Sequence, residues 1–137
     1  MGQYGDVDST AMTIQALAPY YETDTNIKNA VDRALELLSE KQLDGGDYAS
    51  YGVSNPESTS QVLVGLSSLG IDAKTDERFI KNGNDIFDGI EKYKLSNGGF
   101  CHKEGGEVNG TATVQTFYAM ISYLRFCDGK SPLYILD

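Results

Sequence analysis

The sequence predicts an all-α protein in which inner and outer helices alternate to build a layered α/α arc. Three observations carry that prediction. The chain aligns with itself at a period of about 50 residues, which marks stacked supersecondary units. Segments without any charged side chain alternate with charged, amphipathic ones. No stretch alternates apolar and polar residues at period two for long enough to suggest a substantial sheet.

The repeat is visible at the starts of the charge-free segments. "DVDSTAMTIQALA" begins at Asp6, "NPESTSQVLVGLS" at Asn55 and "EVNGTATVQTFYAM" at Glu107. This alignment puts Thr10, Thr59 and Thr111 in register, 49 and 52 residues apart. The intervening segments also match. Ile27-Lys28-Asn29 and Ile80-Lys81-Asn82 are identical triplets, and glycine pairs follow at Gly45-Gly46 and Gly98-Gly99.

Five helices are expected, near 7–20, 26–42, 56–69, 76–95 and 108–126. Asn55 followed by Pro56 reads as an N-cap with proline at the first helical position, and Asp6 aligns with it as the equivalent cap. Glycine pairs suit the left-handed turns that end helices. Residues 9–19, 58–71 and 108–124 hold no charged side chain; apolar almost all round, they read as inner helices. Residues 28–41 carry Lys28, Asp32, Arg33, Glu36, Glu40 and Lys41, with Ile27, Val31, Ala34, Leu35 and Leu38 at three- and four-residue spacing. That is an outer helix with one buried stripe. The 76–95 segment is expected to be the second outer helix. The whole makes two and a half inner/outer pairs in one domain, residues 1–137.

Bulk composition limits the function. The chain of 137 residues carries 11 basic and 20 acidic side chains, for a formal charge of −9. Nucleic acids and anionic membrane surfaces need a basic patch, so neither is an expected partner. No apolar run reaches the roughly 18 residues of a membrane span. The opening "MGQYGDV" has neither a basic start nor an apolar stretch and is no signal peptide. A disulfide would need the Cα atoms of Cys101 and Cys127 within about 7 Å. The helix expected between them holds its ends ~27 Å apart, so both are expected to be free thiols.

"DVDSTA", "ESTSQVLVGLSSLG" and "GGF" resemble the prenyltransferase and squalene-cyclase repeat of the α/α-toroid superfamily. The likeness extends over nearly the whole chain, to "GKSPLY", and is greatest to the repeat domains of cell-surface proteins of Gram-positive bacteria. The resemblance implies a toroid that closes at about six pairs, so this chain is expected to be a fragment of a larger one, with "MGQYG" as the tail of a preceding turn. A small partial arc that buries its open flank by dimerising is the alternative. The resemblance also implies an extracellular or cell-surface location for the parent protein.

The chemistry of the enzymes in that superfamily can be tested against these residues. Cyclases of the family use an Asp-x-Asp-Asp motif at the head of an inner helix, whose middle aspartate protonates an alkene or epoxide. Asp6 and Asp8 match its first two acids, but Ser9 replaces the last. Such an acid needs neighbouring carboxylates and burial, and a deep aromatic cavity; the chain has no tryptophan. Asp6 and Asp8 are better explained as a cap worth about 1 kcal/mol and a first-turn charge worth roughly 0.3–1 kcal/mol. Prenyltransferases need an Asp, a Cys and a His on zinc. The matching region "EVNGTATV" has no histidine, and the single His102 beside Cys101 does not complete a site. The Cys-Gly-Glu-Gln run of thioester domains is replaced by "FCHKEGG". No catalytic residue, metal or cofactor is therefore expected, and an enzyme of the cyclase or prenyltransferase kind is only the alternative.

What remains is binding. Parallel inner helices bring their N-termini to one rim, and the turns before them bring Tyr48, Tyr51, Phe100 and His102 there beside Asp6, Asp8, Glu57 and Glu107. Aromatic and hydrogen-bonding groups on such a rim suit a small-molecule, glycan, peptide or corrinoid-like ligand.

Overall fold

The computed structural model describes residues 6–135. The expectation that "MGQYG" is the tail of a preceding turn lies outside the described residues. Helix α1 (Val7–Leu17) continues into a 3-10 turn (Ala18–Tyr20), and α2 spans Thr25–Lys41. A hairpin of β1 (Tyr48–Ser50) and β2 (Val53–Asn55) leads into α3 (Pro56–Ser68). A 3-10 turn (Glu77–Phe79), the short α4 (Ile86–Glu91) and α5 (Gly110–Cys127) complete the order. The all-α reading therefore holds apart from a two-stranded antiparallel ribbon pairing Tyr48 with Asn55 and Ser50 with Val53.

Helix α3 is the middle of the molecule. It packs on α1 on one side and α5 on the other, with α4 behind it, while α2 packs on α1. The absence of charge after Glu57 is explained by that position: of residues 56–67, all but Glu57 and Gln61 are buried. Helix α2 buries only the stripe Val31, Leu35 and Leu38 and keeps its charged side toward solvent. Where α1 crosses α3, a β-carbon on Gly65 would meet Ala11 O at 3.4 Å, so a small residue allows the close approach.

The caps form as the residues dictate. Asp6 Oδ1 accepts from Ser9 N–H at 2.8 Å and its Oδ2 from Ser9 Oγ at 3.0 Å. Asn55 Oδ1 accepts from Ser58 N–H at 2.7 Å, and Asn109 Oδ1 accepts from Ala112 N–H at 2.9 Å. The third cap corrects the repeat register. With Asn109 equivalent to Asp6 and Asn55, Thr113, not Thr111, stands in the place of Thr59. The hydrogen bonds agree: Tyr48 N–H donates to Thr59 Oγ1 at 3.0 Å, and Phe100 N–H donates to Thr113 Oγ1 at 2.9 Å. The loop from Phe100 to Asn109 is two residues longer than that from Tyr48 to Asn55, which shifts the threonine.

The expected helix over 76–95 is the principal miss. Asn82 (φ 51°) and Gly83 (φ 83°) are both left-handed and sit between the bridged residues Lys81 and Asn84. This is a two-residue turn of the kind that joins antiparallel strands, and it cannot lie inside a helix. A helix restarts only at Asp85, whose side chain accepts from Phe87 N–H and Asp88 N–H while Asp88 accepts from Asp85 N–H, a reciprocal capping box. The triplet Ile80-Lys81-Asn82 thus shares residues with Ile27-Lys28-Asn29 but not conformation.

The turn before β1 holds α4 in place. Buried Asp47 accepts from Tyr93 Oη at 2.6 Å and Lys92 Nζ at 2.9 Å. A β-carbon on Gly89 would overlap Gly46 and the backbone of Asp47. Both cysteines are free, Cys101 buried and Cys127 exposed. Among the described residues, no helix is long and apolar enough to cross a membrane.

Candidate binding groove at the inner-helix N-termini

The first turns of α1 and α3 face the β1–β2 hairpin and the loop that follows Phe100. Between them lies an open groove of about 380 Å³, whose lining includes Asp8, Tyr51, Val53, Glu57, Ser58 and His102. Four residues expected at a rim, Asp8, Tyr51, Glu57 and His102, are therefore brought together here. They come from two helix N-termini, a hairpin tip and a loop of the next repeat.

The other four are placed elsewhere. Asp6 is on the same end of α1 but is occupied as the cap, and hydrogen bonds from the Ser9 backbone and hydroxyl hold its carboxyl below the ordinary value of 3.8. Tyr48 is fully buried and Phe100 is 4% exposed. Both side chains belong to the core, because the glycine turns at Gly46 and Gly98 bring the chain back over the helices. Burial pushes the Tyr48 phenol well above its usual range. Phe100 packs edge-on against Phe117, with ring centroids 6.2 Å apart. Glu107 is exposed in the loop before α5, and in the corrected register Thr111 takes the position that Asp8 and Glu57 hold in the other repeats.

Tyr51 has the opposite character. It is 93% exposed and adopts φ 48° at the hairpin tip, followed by Gly52 at φ 77°. A bulky residue in the left-handed region costs about 1–2 kcal/mol, and glycine or asparagine is the usual occupant of that turn position. The fold thus holds an aromatic ring in solvent at a place where its backbone is unfavourable.

The polar groups of the groove are unevenly satisfied. His102 Nδ1 lies 2.9 Å from Glu57 Oε1, with the Glu57 side chain 16% exposed. Asp8 Oδ1, Glu57 Oε2 and Ser58 Oγ are buried and have no hydrogen-bond partner in the protein. Asn55 is held through both polar atoms of its side chain: Oδ1 caps α3 and Nδ2 donates to Val53 O at 2.9 Å. Ser58 was not singled out by the sequence, in which it is one of several small residues in a charge-free helix; its signal was adjacency to Glu57 in a first turn.

A second recess of about 290 Å³ is lined by Met12, Gln15, Ala16, Gln61, Tyr118 and Tyr134. Across it Gln15 Nε2 donates to Gln61 Oε1 at 3.0 Å, and Gln61 Nε2 donates to Gln115 Oε1 at 3.2 Å, a polar chain spanning α1, α3 and α5. Burial raises the Tyr118 phenol to about 12. No group of three or more His, Cys, Asp or Glu side chains that could hold a metal ion occurs among the described residues. Compared with protein-family models, curated proteins and solved structures, the chain gives no match.

Proposed function

We propose that the chain is a non-catalytic binding module of a bacterial surface or secreted protein, built as part of an α/α-toroid-type arc. The observation that carries the binding reading is the convergence of Asp8, Tyr51, Glu57 and His102 on one groove. Two carboxylates, a histidine and an exposed aromatic ring suit a small polar ligand such as a glycan unit, a peptide or a corrinoid-like compound. The backbone conformation of Tyr51 adds weight, because unfavourable conformations are retained where the side chain is used.

The toroid reading rests on the alternation of inner and outer helices and on an apolar stripe along α5. Val114, Phe117, Ile121 and Leu124 are each at least half exposed and share one side of that helix at three- and four-residue spacing. A further helical pair would cover that stripe as α3 and α5 cover each other. Sedimentation of the isolated chain tests this: a monomer fits an arc continued by further repeats, and a dimer transfers the stripe to a second copy.

A cyclase-like acid is less well supported. Both Asp6 oxygens are occupied by Ser9, so Asp6 is not arranged to strengthen Asp8 as an acid. A thermal-shift screen with glycans, peptides and corrinoids tests the binding reading; a rise in Tm that disappears in the Glu57→Gln variant supports it, and no rise with any of the three classes overturns it.

A further inference from the structure

The chemistry of the groove narrows its ligand. Carboxylate oxygens accept hydrogen bonds and donate none. Among the side chains of Asp8, Ser50, Tyr51, Val53, Glu57, Ser58 and His102 there is no ammonium or guanidinium to balance the two carboxylates; the other donors are the neutral hydroxyls of Ser50, Tyr51 and Ser58, and Asn55 beside them holds Val53 O and the Ser58 N–H. The His102 nitrogen nearest the groove acids is already at Glu57 Oε1.

Three polar atoms are left over, two carboxylate oxygens that only accept and one hydroxyl that accepts or donates. Ser58 is the decisive one, because the residue is 1% exposed and its Oγ has no partner although it lines the groove. Asp8 Oδ1 and Glu57 Oε2 are buried and unpartnered beside it. Leaving such an atom without a hydrogen bond is costly, the more so when it is charged. A bound sugar would bring neutral hydroxyls, which leave the charge of two carboxylates unbalanced. An ammonium head brings three donors and no acceptor, together with the charge that two carboxylates favour. The recessed acceptors also call for a slim head on a stem, and Tyr51 and Val53 offer apolar surface for methylene groups at the groove mouth.

We infer that the groove binds a primary ammonium on a methylene stem, as a lysine side chain of a peptide presents it, with the head among Asp8, Glu57 and Ser58 and the stem against Tyr51. This inference rests on the binding reading above and specifies its ligand.

The test is a titration of the chain followed by amide NMR at low ionic strength, with Nα-acetyl-lysine N-methylamide as the probe. Saturable shifts are expected at Asp8, Tyr51, Glu57 and Ser58. Acetylating the probe's Nζ is expected to weaken binding at least about tenfold, as are the Asp8→Asn and Glu57→Gln variants. Equal binding of the acetylated probe overturns the inference. Alanine N-methylamide, which carries only an α-amine, binding as tightly as the lysine probe overturns the lysine assignment in favour of a peptide N-terminus. N-acetylglucosamine or a neutral disaccharide moving those amides while the lysine probe does not also overturns it, yet leaves the groove as a binding site. If none of these probes moves them, the inference falls, and the thermal-shift screen above decides the binding reading separately. Should Asp8→Asn lose its folded spectrum, Glu57→Gln and the acetylated probe still decide.

Discussion

Glu57 in the first turn of α3 and His102 in the loop before α5 are joined at 2.9 Å between Oε1 and Nδ1. The pair ties one repeat to the next and pins one oxygen of a groove carboxylate while the other oxygen stays buried and unpartnered. His102 is the more exposed partner, at 45% of its side chain, and solvent screening keeps exposed pairs to about 0.2–1 kcal/mol. His102→Ala should therefore cost less than about 1 kcal/mol in urea unfolding, while amide exchange speeds up in the loop before α5. A loss above about 2 kcal/mol would make the pair a structural clamp instead.

Acid should weaken the fold through particular carboxylates. Asp6 is held below 3.8 by the Ser9 backbone N–H and hydroxyl, Asp72 by the Lys74 backbone N–H and Asp76 by the Arg78 guanidinium. A depressed folded-state value means that the stabilisation is present above the unfolded value and lost as pH falls through the folded one. Stability from these groups should be flat above about pH 5 and decline below pH 3.8. Asp76→Asn should flatten part of that decline in urea unfolding measured as a function of pH; an unchanged profile would remove Asp76 from the account.

Two glycines should respond in opposite directions. At Gly89 a β-carbon overlaps Gly46 and the backbone of Asp47, whereas at Gly110, the first residue of α5, it meets nothing within 4 Å. Gly89→Ala should cost more than about 2 kcal/mol, because backbone must move to admit it. Gly110→Ala should stabilise by about 0.4–1 kcal/mol, through the reduced freedom of the unfolded chain. Urea midpoints of the two variants against the parent chain decide the matter.

The elements that could be read from the sequence are those whose local signals agree with their packing. Helix α3 carries no charge after Glu57 because helices pack on both its sides and bury it, whereas α1 and α5, with one charge each, bury one face and leave the other exposed, against the expectation that they are buried nearly all round. Asp6, Asn55 and Asn109 begin the three by hydrogen bonds that operate over three residues. Helix α4 could not be read, because Lys81 to Asn84 forms a turn in which Asn82 adopts a left-handed conformation that its identity allows but does not require. The groove was half legible for a related reason. Asp8 and Glu57 follow from helix starts, but Tyr48 and Tyr51 differ only by their places in a three-residue strand and a turn. Pairing with Asn55 buries the first, and the hairpin tip exposes the second.

The repeat register itself can be tested by three threonines. Thr59 is fully buried and its hydroxyl serves twice, accepting from Tyr48 N–H and donating to Asn55 O at 2.9 Å. Thr113 holds Phe100 N–H in the same way but is less buried, and Thr111 is exposed. Replacing a threonine by valine keeps the shape and removes the acceptor, leaving a buried N–H without a partner at a cost of roughly 1–3 kcal/mol. Thr59→Val should fall at the upper end of that range and Thr113→Val lower within it, while Thr111→Val should stay within about 0.5 kcal/mol of the parent. The Tyr48 and Phe100 amides should lose protection from hydrogen exchange in their respective variants only. Were Thr111→Val the costly change and Thr113→Val silent, the register that equates Asn109 with Asp6 and Asn55 would be wrong, and the alignment that places Thr111 beside Thr10 and Thr59 would be restored.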